Sequence, residues 1–490
     1  MFISVGAAAA DPVRLTLSDG SFSVSGNLVA FDGDTYQVET RFGVLSMASE
    51  TTTCDGEGCP TEAGLVPVVN ISGATSLGEV LMPALIEEFA RIRKYEIEAT
   101  TEETGVISIR FRTQNTQKDV AVFRLTLSST AQGVADMLFG KSHFVMARRS
   151  LTPGETLAIS SRYDRGNDNA VRTTVMGWEA LRLFTTPGNP IEQITVKDLI
   201  SMTESAPAFW PASQEDGDPV PVVLRGDFDS VSALRQQLGF TSATPSLHTF
   251  SDLAPGVLRI SPNNLAGQQE VELIATCNQI ASEHDLDQSA QPLKAPLYLV
   301  AAPVKLPPVA RDFWGFLLTA AAQEKIAQVG YTSRTPTETT MSGPDGPLIH
   351  AILNTDDEMR ATDLREAVRG LYGHGRLSLT FRFLDGTRFL DEGSQSNLGF
   401  LASLLKDGRF SGRDIIFAGF SDSQGSAEGN LQISLDRAQA LRGTIRTLMG
   451  DDAPPKEAFR AVGFGEGLPL ACNDTEWGQH QNRRVEIWVK

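Results

Sequence analysis

The chain has 490 residues, with 42 Lys and Arg against 60 Asp and Glu and a formal charge of −18. That length exceeds what one hydrophobic core usually supports, so two or three domains are expected. Such an acidic balance repels nucleic-acid phosphates and anionic lipid, and no apolar run of about 18 residues provides a membrane-spanning helix.

Residues Met1 to Ala10 are small and apolar and end in four alanines before Asp11. They read as a signal-peptide remnant: part of an apolar region and a small-residue cleavage site, without the usual positive start. Residues 11–62 read as a small β unit. Val13, Leu15 and Leu17, then Phe22 and Val24, then Tyr36 and Val38, then Val44 alternate with polar neighbours. Asp19-Gly20 and Asp32-Gly33-Asp34 supply the turns. Cys54 and Cys59 bracket Asp-Gly-Glu-Gly, a turn flexible enough to close a small disulfide ring. In an oxidising compartment such a ring contributes about 2 kcal/mol. No second cysteine pair or histidine lies nearby for zinc. Cys277 and Cys472 either bridge two domains or stay as buried thiols.

From residue 63 to 335 strand patterns alternate with helical ones, which predicts an α/β architecture. After the apolar strand at Leu65–Ile71, Leu77, Leu81, Ala84, Leu85 and Phe89 fall on one helical face. Further helices are expected over Gly177–Phe184, Val196–Met202, Ser230–Leu238 and Arg311–Val329. Residues 336–374 carry a Pro-, Gly- and Thr-rich linker and then an amphipathic helix. In 375–490, strands are expected at Leu377–Phe383, Ile415–Phe420, Phe459–Phe464 and Val485–Val489, with a helix over Asn430–Met449.

The spacing predicts two stripes on that helix. Leu431, Leu435, Ala438, Leu441, Ile445 and Leu448 form the expected buried face. Asn430, Ser434 and Arg437, spaced i, i+4, i+7, share another, and Asp422 sits on the loop just before. A carboxylate and a guanidinium converging near a helix start suit a zwitterion: Asp422 for an amine, Arg437 as a planar fork for a carboxylate.

The segments Ser421-Asp422-Ser423-Gln424-Gly425, Asn430 through Ala438, and Asn482-Arg483-Arg484-Val485-Glu486 resemble the OmpA-like peptidoglycan-binding domain. Ser421 stands where that family usually has threonine, which keeps the hydroxyl. The resemblance implies an α+β fold of βαβαβ type. It also implies binding of meso-diaminopimelate in the wall stem peptide by Asp422 and Arg437, with Asn430, Ser434 and Arg483 as supporting residues. Lysine-type walls lack the second carboxylate, so selectivity against them is implied.

Residues 65–335 resemble, more diffusely, the phosphate-type periplasmic solute-binding proteins. The carrying segments include Val69-Asn70-Ile71-Ser72-Gly73-Ala74-Thr75, Met146 through Pro153, and Gly256 through Ile260. The resemblance implies two α/β lobes around a cleft. Candidate contacts to phosphate or another small oxyanion are Ser72, Ala74, Thr75 and Ser76, with Arg148, Arg225 and Ser230. The family's Ser-Gly-Thr loop is not intact here, because Asp227 and Asp229 bring negative charge into Arg225-Gly226-Asp227-Phe228-Asp229-Ser230.

No His-Glu-x-x-His, P-loop or nucleophile elbow occurs, and no cofactor is implied. Ser403-x-x-Lys406 lacks its companion motifs. The expected function is a non-catalytic periplasmic protein associated with the cell wall or outer membrane. It binds peptidoglycan through its last domain and carries a solute-binding module. The alternatives are an oxyanion receptor that the wall domain only localises, and a wall-modifying enzyme.

Overall fold

The computed structural model describes residues 12–31, 35–40, 43–56, 58–59, 66–102, 105–163, 171–189, 191–204, 208–209, 221–239, 257–274, 293–304, 306–342, 348, 351, 361–384, 387, 389–450 and 458–490. The expected signal remnant, linker residues 343–347 and Cys277 lie outside the described residues. The fold is mixed α/β with several sheets. Two compact units are formed: residues 1–146, 156–172 and 300–317, and residues 147–155, 173–299 and 318–490.

The first unit opens with an antiparallel sheet of strands Pro12–Leu17, Ser23–Phe31, Thr35–Thr40, Gly43–Ala48 and Thr52–Asp55. Its alternation buries Val13, Leu15, Tyr36, Val38 and Met47, and the Cys54–Cys59 disulfide packs against that cluster. Next, strand Val68–Ala74 runs parallel to Asp119–Ser128 on one side and to Phe144–Met146 on the other. Helix Met82–Arg93 closes over this sheet, with Phe89 edge-on to Phe313 at 5.5 Å. Leu77, Leu81, Leu85 and Phe89 are buried, as the periodicity predicts.

In the second unit, helices Val196–Glu204 and Phe228–Gln237 accompany a six-stranded sheet. The helix expected at Gly177–Phe184 is instead two strands, Arg172–Ala180 and Arg182–Thr185. Short apolar runs do not distinguish strand from helix. β-Branched Thr173, Thr174 and Val175 and a close neighbour decide: a Cβ on Gly177 would sit 2.6 Å from the Thr332 carbonyl oxygen. The long helix expected at Arg311–Val329 is also split, into Pro308–Phe316 and Ala320–Gln328. Thr319 ends the continuity by capping the second helix, accepting from Ala322 N at 3.4 Å.

The last domain lies wholly in the second unit. Its five-stranded sheet has the order Glu338–Thr340, Gly375–Arg382, Arg484–Val489, Ile415–Gly419, Phe459–Gly463. Helix Ala427–Met449 is the crossover between the parallel strands Ile415–Gly419 and Phe459–Gly463. Both faces of the sheet are covered. Ile415 and Phe417 face a core with Ala438, Leu441 and Ile445, while Ile416 and Ala418 face Ala367, Leu371 and Trp488.

The two-stripe reading of helix Ala427–Met449 is corrected. Its buried residues are Asn430, Ser434, Arg437, Ala438, Leu441, Ile445 and Met449. Leu431 and Leu448 are exposed. Positions 430, 434, 437, 441 and 445 make one continuous stripe at three- and four-residue steps, so the polar residues occupy the first half of the core-facing side.

Candidate functional site

Asp422 follows strand Ile415–Gly419 on a loop held on both sides by backbone bonds. Phe420 N donates to Arg484 O at 2.8 Å, and Ser421 N donates to Gly465 O at 2.7 Å. The Asp422 side chain is only 9% exposed and meets Arg483, with Nη1 to Oδ2 at 2.6 Å. Its Oδ1 accepts from Gln424 N at 3.1 Å. Asn430 Nδ2 donates to the Asp422 carbonyl at 3.2 Å and to Glu466 Oε1 at 2.6 Å. Ser434 Oγ donates to Leu431 O at 2.8 Å and accepts from Gly465 N at 3.0 Å. Asn430 and Ser434 therefore lock two loops around Asp422. Ser434 is fully buried, with its hydroxyl engaged by backbone groups on both sides.

The helix lies close to the sheet here because glycine permits it. A Cβ on Gly419 would sit 2.0 Å from the Ser434 carbonyl oxygen. Gly419→Ala is expected to destabilise the protein by about 1–3 kcal/mol through overpacking. A lowered urea midpoint checks this.

The guanidinium that meets Asp422 in this structure is that of Arg483. Arg437, 2% exposed, lies over the Phe383 ring, 5.3 Å from its centroid. The Asn-Arg-Arg triplet divides three tasks. Asn482 Oδ1 accepts from Leu470 N and Ala471 N at 2.8 and 3.2 Å, fixing the preceding loop. Arg483 reaches Asp422. Arg484 points inward, bonding Glu486 Oε1 at 2.8 Å and stacking on Phe420 at 4.2 Å.

A cavity of about 560 Å³ adjoins this place, lined by Arg483, Arg382, Trp477 and His480 together with Arg149 and Tyr298. That volume suits a small-molecule or peptide fragment. Trp477 also packs into the hydrophobic cluster of Leu183, Leu199 and Leu234, so the last domain and the preceding lobe share a core. Arg334, 2% exposed, ties them further, donating to Val175 O at 2.9 Å and Ser396 O at 2.8 Å. Burial pulls its pKa down to about 9, which still leaves it charged at neutral pH. Neither Arg334 nor Trp477 carries a local sequence signal, because only the packed structure gives either one its partners.

Residues 382–483 match the family model described as the OmpA family. These residues form an OmpA-family domain. The domain is similar to a probable lipoprotein, YiaD, from Escherichia coli (strain K12), at 39% identity over 69 residues. The match covers 14% of this chain and 30% of that relative, well under two thirds of its length. It is also similar to the solved peptidoglycan-associated lipoprotein of Burkholderia pseudomallei, at 28% identity and TM-score 0.20, over 23% of this chain and 89% of that one. A neighbour of the N-terminal part is an ABC-type phosphate transport receptor from Vibrio cholerae, at 14% identity and TM-score 0.37, covering 54% of this chain and 99% of that one. Cys472, within the OmpA-family domain, is disulfide-bonded, which excludes the buried-thiol alternative for it.

The solute-site candidates fall into separate units. Ser72, Ala74, Thr75 and Ser76 lie in the first. Ser72 Oγ donates to Asp136 at 2.5 Å and Thr75 Oγ1 to Ser128 O at 3.0 Å. Ala74 ends its strand, and Ser76 makes no side-chain cap to the helical turn that follows. Arg148, Arg225 and Ser230 lie in the second unit, with Arg225 at the end of strand Pro221–Arg225. Burial would lower the Arg148 pKa, but Glu179 and Asp227 hold it above its ordinary value. Burial pushes the Glu179 carboxyl up against the opposing pull of Arg148. Among the described residues, no group of three or more His, Cys, Asp and Glu is placed to hold a metal, and no helix is long and apolar enough to cross a membrane.

Proposed function

We propose that the protein is a non-catalytic component of the bacterial envelope that binds peptidoglycan through its OmpA-family domain, at the free end of meso-diaminopimelate. The supporting observation is the Asp422–Arg483 ion pair, locked by Asn430, whose Arg483 member lines a cavity of about 560 Å³. Within the chain, the Asp422 carboxylate is matched by the Arg483 guanidinium. A zwitterionic ligand end replaces that internal pair with two external ones: its ammonium at Asp422 and its carboxylate at the released Arg483 or at Arg437. Exchanging ion pair for ion pair avoids stranding either charge in a poorly solvated place. A lysine-type stem has no second carboxylate and leaves a guanidinium unpaired.

Calorimetry on the full chain tests this. A muropeptide with a meso-diaminopimelate stem is expected to bind at least about tenfold tighter than its lysine counterpart, a difference of about 1.4 kcal/mol. Equal affinities would remove the zwitterion reading. The upstream lobe is read as a solute-binding-type module held against the wall by this domain, in the periplasm.

A further inference from the structure

One cavity lies apart from both sites anticipated from sequence. The volume of about 560 Å³ is bordered by Arg483, but neither by Asp422 or Arg437 nor by any of the solute-site candidates. Helix Glu476–Asn482 supplies one wall, where Trp477, His480 and Gln481 share a face at i, i+3 and i+4. The preceding lobe supplies another, with Arg235 near the end of helix Phe228–Gln237 and Tyr298 on strand Lys294–Ala301. Arg382 ends strand Gly375–Arg382 on the same lining. Gln481 is the informative residue. It is 4% exposed, and its Oε1 is buried with no hydrogen-bond partner among the described residues. A buried acceptor left unmatched costs stability, and on a cavity wall it points to a donor brought by a ligand.

We propose that this cavity binds a short peptide with free ends, held jointly by the OmpA-family domain and the preceding lobe. Each part of such a ligand meets a group of matching chemistry. A peptide N–H donates to Gln481 Oε1. The terminal carboxylate meets the guanidinium of Arg235 or Arg382, the latter 5% exposed and so in a poorly solvated place, where a charge-assisted bond is strong. The terminal ammonium meets the exposed Glu476 or Asp391, which lies 3.8 Å from His480 Nε2. Trp477 and Tyr298, each 4% exposed, offer aromatic surface to the ligand's side chains. Both signs of charge, an amide acceptor and aromatic surface in one volume of this size suit a peptide of a few residues.

Calorimetry on the full chain with peptides that contain no diaminopimelate tests this separately from wall binding at Asp422. The probes are tri-L-alanine and L-Ala-D-Glu, the latter with the residues that begin a wall stem, each with its carboxylates free or amidated. Wild type is expected to bind at least one free acid saturably. Binding of tri-L-alanine assigns the site to free peptides, and binding of L-Ala-D-Glu alone assigns it to wall-derived ones. Amidation is expected to weaken binding at least about tenfold. Arg235→Gln or Arg382→Gln should abolish that preference for the acid. Gln481→Met keeps the side-chain length and removes the unmatched acceptor. It is expected to weaken peptide binding at least about tenfold while the urea midpoint stays or rises, a split that a purely structural glutamine would not give. Folded wild type that binds neither free acid would overturn the proposal. So would folded Gln481→Met that binds as tightly as wild type.

Discussion

Glu486→Gln is expected to destabilise the OmpA-family domain by about 3–5 kcal/mol. Glu486 is fully buried and lies between two guanidiniums, with Oε1 bonded to Arg484 Nε at 2.8 Å and Arg376 Nη1 at 3.1 Å. Its Oε2 accepts from Trp488 Nε1 at 2.9 Å. Glutamine keeps the volume and some hydrogen bonding but removes the charge that makes burying Arg484 tolerable. Burial would raise the Glu486 pKa, yet Arg484 and Arg376 hold it below the ordinary glutamate value. A carboxyl depressed in the folded state contributes stability that is present above its unfolded pKa. That contribution fades as pH falls through the folded value. Wild type should therefore lose stability on acidification below about pH 4, where unfolded glutamates protonate. Glu486→Gln should start lower and lose less over the same range. Urea unfolding of the full chain at pH 7 and pH 3.5, followed by tryptophan fluorescence, checks both parts. An unchanged midpoint at pH 7 would mean that the guanidiniums are solvated or paired elsewhere.

This network was written in the sequence as Asn-Arg-Arg-Val-Glu, but only half legibly. Strand alternation sends Arg484 and Glu486 to one face and Arg483 to the other, and period two alone gives that. Which face is core and which is site depends on what covers the sheet. The helix Ala361–Leu371 buries Ile416 and Trp488, and that arrangement is tertiary. The same limit explains Arg437. Spacing placed it in register with Asn430 and Ser434, correctly. The hydrophobicity of Leu431 and Leu448 then drew the buried face to the wrong side of the helix, because an apolar count cannot foresee an arginine laid over Phe383. Asp422 stood out only through the joint spacing of the matched segments, because an acid on a loop before a helix ordinarily caps a turn, as its bond from Gln424 N shows. Its direct partner, Arg483, lies 61 residues away and is fixed by the pairing of strands Ile415–Gly419 and Arg484–Val489. Upstream, Asp227 and Asp229 were visible as a charge departure in the sequence. That Asp227 turns back onto Arg148, 79 residues away, required the fold.

Asp422→Asn is expected to release the full-length protein from isolated diaminopimelate-type sacculi, with affinity reduced about 30-fold or more. Losing one member of a buried, hydrogen-bonded charge pair costs about 2–5 kcal/mol of binding. Asparagine keeps an acceptor for Gln424 N, so the loop is expected to persist while the ammonium partner disappears. Arg483→Gln separates the two roles proposed for this arginine, partner of Asp422 and grip on the ligand carboxylate. It deprives Asp422 of its 2.6 Å partner and the ligand of one of the two guanidiniums proposed to hold it, the other being Arg437. Binding should weaken less than in Asp422→Asn if Arg437 grips the carboxylate, and equally if Arg483 does. Asp422→Ala combined with Arg437→Ala should leave the protein in the supernatant. Co-sedimentation with sacculi, with circular dichroism confirming the fold of each variant, reads all three. Retention of the folded double variant at wild-type affinity would place the wall contact elsewhere on the domain.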